Sequence, residues 1–552
     1  MLHSCCELIM AVNIFFCAIA FFICLLVMLD IVFHFKKRVG RRLPPSPISL
    51  PIIGHMHLIS AVPYRSFHKL SIQYGSLIYL RLGSISCMVV SSPELAKEFL
   101  TTNELNFASR PVTIAVNYIN YNSAGFAFAP SGTVWRFMKK VLMSELLGGQ
   151  ALVKHRHIRR DEIHNLVQLL IRNSTNGDRV NVSEELLNLS NNIIMRMMGS
   201  VKFSTSSKEG EEIRSLVREV TKIFGQFNLS DAFWFLRNMD LQGYLKKSTD
   251  IRRRYDILLD RIMHEREEAR TKKERTTVNV GTGCNMAKDL LDILLDVSED
   301  MNSEMKLTRA NIKAFLLDIM TAGIDTTASS VEWALGELIN HQCMLEKARG
   351  EIDSVVGKNV RLVDESDLPN LPYIQAIFKE VLRLHPPVPM LLRESAKDCT
   401  VAGYDIPAKT WLFVNVWSIT RNPSYWKDPL EFRPERFMMS MTQNSALHEG
   451  VNGKCDQDST SRMNRDVRGP HFDLLPFGTG RRGCPGIGLS LLEGPTLLAA
   501  IIQCLDWKVV GINGSKVVDM TERPGVIVPM ANPIILAIST RFNPFESDTG
   551  RK

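Results

Sequence analysis

Cysteine is scarce, with 11 in 552 residues and no C-x-x-C pair among them. That scarcity excludes a disulfide scaffold, and the spacing excludes a zinc ribbon or a thioredoxin-type motif. A reduced, cytosolic setting for the body of the chain follows. A dense basic patch is also missing. The 66 basic residues stand against 58 acidic ones, for a net charge of +8, and the excess is too evenly spread for a nucleic-acid binder. An anionic membrane surface or an acidic protein partner suits it better. No internal repeat is visible, which excludes solenoids and propellers. The length admits three or four domains as a loose prior, and some folds remain single at this size.

One long apolar run opens the chain. From Leu8 to Leu29 only Asn13 is strongly polar, and a helix of that length spans roughly 30 Å, the hydrocarbon thickness of a bilayer. A cleaved signal peptide would be shorter and would end in small residues. This run ends instead in Lys36, Lys37, Arg38, Arg41 and Arg42. Basic flanks stay in the cytosol, so the expectation is a single-pass anchor in the endoplasmic reticulum membrane with the body facing the cytosol. The alternative is a buried core helix. On the anchor reading the Asn-x-Ser/Thr sequences at Asn173, Asn181, Asn188 and Asn228 never meet glycosylation enzymes. The expected divisions are an anchor at 1–35, a basic and Pro-rich hinge at 36–54, one large domain at 55–545 and a tail at 546–552. Four prolines in LPPSPISLPIIG (43–54) make that hinge a stiff extended spacer.

Beyond the hinge, YGSLIYLRLGSISCMVVSS (74–92) reads as a β-hairpin, and SPELAKEFL opens a helix with a Ser cap and Pro at its first position. Residues 134–345 are mostly helical in pattern. The charged stretch 252–275 has helical periodicity and reads as a solvated helix face. Residues 276–286 and 438–470 are polar and loop-like. Short strands are expected near 399–403 and 410–414, with more β structure after Trp507. The fold class is mainly α with small β-sheets.

The most informative segment is FGTGRRGCPG (477–486). Cys484 can supply a thiolate, which pushes electron density onto a haem iron and favours O–O cleavage. Gly478, Gly480, Gly483 and Gly486 let the backbone curl around the sulfur and aim N–H groups at it. Residues 487–505 are apolar and helical, so Cys484 precedes a helix N-terminus whose positive end lowers a thiol pKa. The bland alternative is an inert cysteine in a Gly-rich loop. Upstream, AGIDTT (322–327) lies in a helix from about Thr308 to Leu338. There Gly323 relaxes the helix and Thr326 can take a backbone carbonyl from the ladder. KEVLRLHPP (379–387) sets Glu380 and Arg383 on one helix face.

The Cys484 segment resembles the cytochrome P-450 pattern Phe-x-x-Gly-x-Arg-x-Cys-x-Gly at every fixed position, and the other elements follow in that family's order. The resemblance covers residues 43–545 and the anchor. It implies a cytochrome P-450 fold, haem b held by Cys484, dioxygen as co-substrate, and electrons from NADPH through NADPH–cytochrome P-450 reductase. A partner is required because the chain has no flavin or iron–sulfur motif of its own. It further implies that Phe477 shields the ligand and that Arg482, Trp135, Lys139 and Arg393 meet haem propionates, with Lys139 standing where the family more often has Arg. Asp325 and Thr326 would relay protons beside the iron. Glu380, Arg383 and Arg436 of FRPERF (432–437) would form a structural ion triad. Arg136 and Lys140 would help dock the reductase. The departures are Ser46 in the hinge and a long 438–470 loop.

The anchor and the PERF signature resemble plant microsomal enzymes. AFAPSGTVWRFMKK, DLQGY, KAFLLDIMTAGIDTT and DVRGPHFDLLPFGTGRRGCPG narrow this to the group containing flavone synthase II (flavanone 2-hydroxylase), isoflavone synthase, pterocarpan hydroxylases and a triterpene hydroxylase. Substrate contacts would come from Ile114, Tyr118, Phe126 and Phe128 on one loop, and from Asp318 and Ala322 on the central helix. Val388, Met390, Leu391, Leu392 and Val526 would close the pocket. These apolar and aromatic positions suit a planar or polycyclic small substrate, although some are expected to be plain core. Leu392 stands where isoflavone-forming members tend to carry Lys. The expected activity is hydroxylation or desaturation of a flavanone-type flavonoid. The alternatives are a triterpenoid hydroxylase, a non-oxygenating haem-thiolate isomerase or dehydratase, and a haem sensor.

Overall fold

A computed structural model describes residues 13–15, 17, 18, 21, 28, 40–199, 208–280, 288–300, 302, 305–438, 465–510 and 517–546. Most of the apolar run expected to span a membrane, the basic residues 36–38, the core of the 438–470 loop and the tail beyond 546 lie outside the described residues. The described chain is mainly helical, with one four-stranded, one three-stranded and one two-stranded sheet. It divides into two units. One gathers residues up to Pro111, Asn228–Leu241 and Leu392–Asn415, and the other gathers Val112–Phe227, Gln242–Leu391 and the residues from Val416 onward.

The first unit is built on the hairpin read from the sequence. Strands Leu77–Leu82 and Ile85–Val90 pair antiparallel, with Tyr79 opposite Met88. Strand Trp411–Asn415 joins Ile85–Val90 in parallel, and Met390–Glu394 forms the far edge. The β-branched and apolar run at Cys87–Val90 is fully buried, as expected of a strand covered on both faces. Helix Pro63–Tyr74 covers the sheet, its Phe67 ring 5.3 Å from Phe413. Cys399–Val401 and Tyr404–Ile406 form the two-stranded sheet.

The Pro-rich hinge, expected to be a stiff extended spacer, makes contacts that its sequence did not announce. It is extended, but it is packed along the hairpin. The Pro45 carbonyl accepts from Tyr79 N at 2.9 Å, the Leu50 carbonyl accepts from Arg81 Nη2 at 2.8 Å, and Gly54 bridges to Leu82. Upstream, Arg41 pairs with Asp398 at 3.0 Å and Arg42 N donates to Asp405 at 2.8 Å. Prolines lack the N–H a central strand needs but can still offer carbonyls to an edge, and that is how this segment docks.

The second unit is helical around Arg309–Asn340. Thr308 caps this helix through a reciprocal bond with Asn311, which satisfies amides its first turn would leave unpaired. It is buried along most of its length against helices Val182–Gly199, Pro372–Leu384 and Ile487–Cys504. Helix Tyr244–Val280 buries Ile251, Tyr255, Leu258 and Leu259 and leaves its charges outward. It also runs through residues 276–280, which were expected to be loop; a helix already nucleated carries on through poor formers such as Thr and Val. Strands Arg179–Asn181, Ile535–Thr540 and Leu505–Val509 make a small sheet. Among the described residues Ile487–Cys504 is the one helix long and apolar enough to cross a membrane, yet 78% of it is buried inside the protein, as a core helix would be.

Candidate active site

The Cys484 loop lies in the second unit. Gly478 and Gly480 adopt φ of +64° and +71°, a region that only glycine enters without strain. A short helical turn at Gly480–Arg482 follows, and the Cys484 amide donates to the Phe477 carbonyl at 2.9 Å. Helix Ile487–Cys504 begins three residues beyond the sulfur, so its positive end faces the thiol. A Cβ at Gly486 would sit 3.8 Å from Cys484 Sγ, which shows how closely the backbone passes. The Cys484 side chain is exposed.

Next to this loop stands helix Thr133–Leu142. Its Trp135 is buried, and the indole Nε1 has no hydrogen-bond partner among the described residues, although a buried donor ordinarily finds one. Arg482 lies over the same ring with Cζ 4.5 Å from its centroid, and Lys139 Nζ lies 5.3 Å from it. Arg482 also donates to the carbonyls of Phe126 (3.2 Å) and Ala129, and Lys139 to the carbonyl of Arg481 at 2.8 Å. An orphaned donor and two cations around an exposed cysteine fit the rim of a haem, where carboxylates would accept from them. Arg393 lies in the first unit, buried, and donates to the Leu392 carbonyl at 2.9 Å.

On the central helix, the Thr326 hydroxyl donates to the Ala322 carbonyl at 2.7 Å. Residues one apart on a helix diverge by about 100°, and Asp325 accordingly reaches elsewhere, to the Thr221 hydroxyl at 3.3 Å. Burial pushes the Asp325 carboxyl above its ordinary range, against the opposing pull of Arg218, Thr221 and Arg523. Thr221, Arg218 and Arg523 had no local sequence signal, since they converge on Asp325 only in the folded chain. Gly323 was expected to loosen the helix. The structure gives it a packing role: a Cβ there would sit 2.6 Å from Ile194 Cδ1.

Glu380, Arg383 and Arg436 come together in the folded chain. Arg383 makes a forked pair with Glu380, at 2.6 and 2.7 Å, and both side chains are fully buried. Arg436 adds a bond to Glu380 Oε1 at 3.1 Å. The remaining Arg383 donors go to the carbonyls of Thr420, Pro429 and Glu431. This is a structural lock rather than reacting machinery.

The positions expected to touch substrate separate into groups. Phe126 stacks on Trp135 at 5.9 Å, and Phe128 meets Phe224 edge to face at 5.5 Å. Ile114, Val388, Met390 and Leu392 are partly buried, and Ala322 is exposed one turn before Thr326. Four positions depart from the expectation of a pocket wall. Tyr118 is 40% exposed, and Arg252 reaches its carbonyl from the outer helix Tyr244–Val280. Leu391 is buried near Gly478, because alternation along a strand sends it to the face opposite Met390 and Leu392. Asp318 has both carboxylate oxygens engaged by the protein, through Asn120 Nδ2 and Ala127 N, each at 2.7 Å. Val526 is 41% exposed, and the backbone of Gly225 comes close to it.

The family model for cytochrome P450 matches residues 44–537. The chain belongs to the cytochrome P450 family. Cytochrome P450 93B2 of Gerbera hybrida is 52% identical over 508 residues, covering 92% of this chain and 94% of the relative. The 3,9-dihydroxypterocarpan 6A-monooxygenase of Glycine max is 48% identical over 513 residues, covering 92% and 95%. A solved zebra fish cytochrome P450 with progesterone superposes with a TM-score of 0.70 at 23% identity, covering 87% of this chain and 99% of that one, a likeness of fold. This cytochrome P450 is thus a monooxygenase of specialised metabolism that uses haem iron and O2, with NADPH electrons delivered by a partner reductase and a small apolar substrate.

Proposed function

We propose that this cytochrome P450 hydroxylates or desaturates a flavanone-type flavonoid at a haem held by Cys484. The observation that carries the reading is the pair Phe126 and Phe128, fixed by ring contacts on one loop, in a chain 48% identical to an enzyme named for a dihydroxypterocarpan. Flat aromatic walls favour flat aromatic ligands.

Haem held there would supply oxidising power from O2, two NADPH electrons and two protons: hydroxylation leaves one oxygen on substrate carbon and one in water, whereas desaturation removes two substrate hydrogens and leaves both oxygens in water. The protein's own residues do the rest. Trp135 Nε1, Arg482 and Lys139 would hold the propionates, with Arg393 a further partner, and Phe477 and Gly486 would pack around the sulfur. The Thr326 hydroxyl would pass protons, and Asp325, whose burial lets it keep a proton at higher pH than an exposed carboxyl, would resupply them. Ile114, Ala322, Val388, Met390 and Leu392 would close over the ligand. The run at 8–29 would anchor the chain in the endoplasmic reticulum membrane with residues 55–545 in the cytosol, and Arg136 and Lys140 would meet the reductase.

Microsomes holding this chain and a reductase, fed flavanones and pentacyclic triterpenes, test the reading by mass spectrometry of the products. A flavanone product carrying 16 mass units more or two fewer is the expected outcome. Turnover of triterpenes alone would overturn the substrate class and leave the monooxygenase standing.

A further inference from the structure

The backbone between Asn120 and Ala129 is held in an uncommon shape. Tyr121, Asn122 and Ser123 take φ of +51°, +60° and +60° in succession. Three consecutive left-handed residues without a glycine among them are strained and persist only where their surroundings dictate it. The surroundings here are specific. Asp318 of the central helix accepts from Asn120 Nδ2 on one side of this turn and from Ala127 N on the other. Asn120 Oδ1 in turn accepts from Gly125 N at 3.1 Å, and Asn311 donates to the Ala124 carbonyl at 3.1 Å. Tyr121 donates to Asp256 at 2.8 Å, and Lys313 bridges Asp256 and Asp260. A Cβ at Gly125 would fall 2.3 Å from Asp318 Oδ2, so the loop touches the carboxylate at a position only glycine fits.

What this turn presents is functional surface. Phe126 and Phe128 project from it, and the carbonyls of Phe126 and Ala129 receive Arg482 from the Cys484 loop. We propose that Asp318 is a positioning residue: by clamping the 120–129 loop it fixes the two aromatic walls and so governs how tightly, and in which orientation, a flat substrate is held. The proposal rests on the reading of this loop as a pocket wall. It requires two acceptor oxygens at position 318, since two N–H donors converge there. Asp318→Asn turns one acceptor into a donor that faces the Asn120 amide.

The clamp has a reciprocal test. Asp318→Asn combined with Asn120→Asp restores all three hydrogen bonds with the roles exchanged: Asn at 318 donates to Asp at 120 and accepts from Ala127, and Asp at 120 accepts from Gly125. In the haem-loaded full chain, Asp318→Asn is expected to speed amide hydrogen exchange at Gly125 and Ala127. It should weaken flavanone binding, read by optical titration, about tenfold and spread the products over more than one position. The double variant should recover both readouts. Unchanged exchange, or weak binding that the double variant fails to rescue, would overturn the proposal. If Asp318→Asn takes up no haem while the double variant does and binds normally, the clamp stands; loss of haem from both overturns a positioning role in favour of a purely structural one. Exchange needs no ligand, so a chain that binds triterpene and not flavanone would fail the substrate reading and still report on the clamp.

Discussion

Thr326 leans back on Ala322, its hydroxyl donating to the carbonyl four residues earlier at 2.7 Å, while its neighbour Thr327 is buried. Two adjacent threonines therefore have different surroundings. Thr326→Ala should keep the haem spectrum and still consume NADPH, but release more hydrogen peroxide per product. Positioned acid assistance is worth roughly 10²–10⁴-fold, so the ratio of product to NADPH should fall at least tenfold. Thr327→Ala should lower the melting temperature and spare that ratio. Equal ratios in wild type and Thr326→Ala would reduce Thr326 to helix packing.

Cys484→Ser should abolish the thiolate-type carbon monoxide difference band. Serine replaces sulfur by oxygen on an otherwise identical side chain, so the far-ultraviolet circular dichroism of the variant should match wild type. A full thiolate band in this variant would remove Cys484 from the iron.

Glu380 compensates Arg383 where neither has access to water. Glu380→Gln strands a buried guanidinium, a cost of about 3–5 kcal/mol, and should sharply reduce the yield of haem-loaded protein. Arg436→Lys should cost less, because Arg383 keeps both of its bonds to Glu380. Thermal unfolding of the purified variants gives the ranking, and the reverse order would refute it.

Glu332 is pushed up to about 7 by burial, despite the Ser183 hydroxyl that donates to it and the nearby Arg523. Its folded pKa lies above its unfolded one, so between about pH 4.5 and 7 the folded state holds a proton that the unfolded state lacks. Stability from this group is present below that window and is lost as pH rises through it. Glu332→Gln should therefore unfold at a higher temperature than wild type at pH 8, by up to about 3 kcal/mol of added stability, with the advantage vanishing near pH 4.5. A gap that does not change with pH would show that Glu332 carries the same charge in both states.

Sequence pattern located what is local. The Ser92 cap, whose hydroxyl accepts from Leu95 N, the hairpin strands and the glycine spacing around Cys484 each announce themselves within a dozen residues, because caps, alternation and tight turns are short-range physics. The Glu380–Arg383 pair was legible for the same reason, being one helical turn apart. Asp318 was read as a pocket residue because an acid on a helix face carries no mark of its partners; those lie at Asn120 and Ala127, nearly two hundred residues away. Thr221 was invisible on the same grounds. At Met390–Leu392 a run of three apolar residues was assigned to one wall, although a strand must divide them between two faces.

The edge made by Pro45, Leu50 and Gly54 has a mechanical meaning. A segment welded to a hairpin by carbonyls and held upstream by Arg41 and Arg42 does not act as a swivel. Any pull or twist arriving ahead of Arg41 is handed to the hairpin strands rather than absorbed by the prolines.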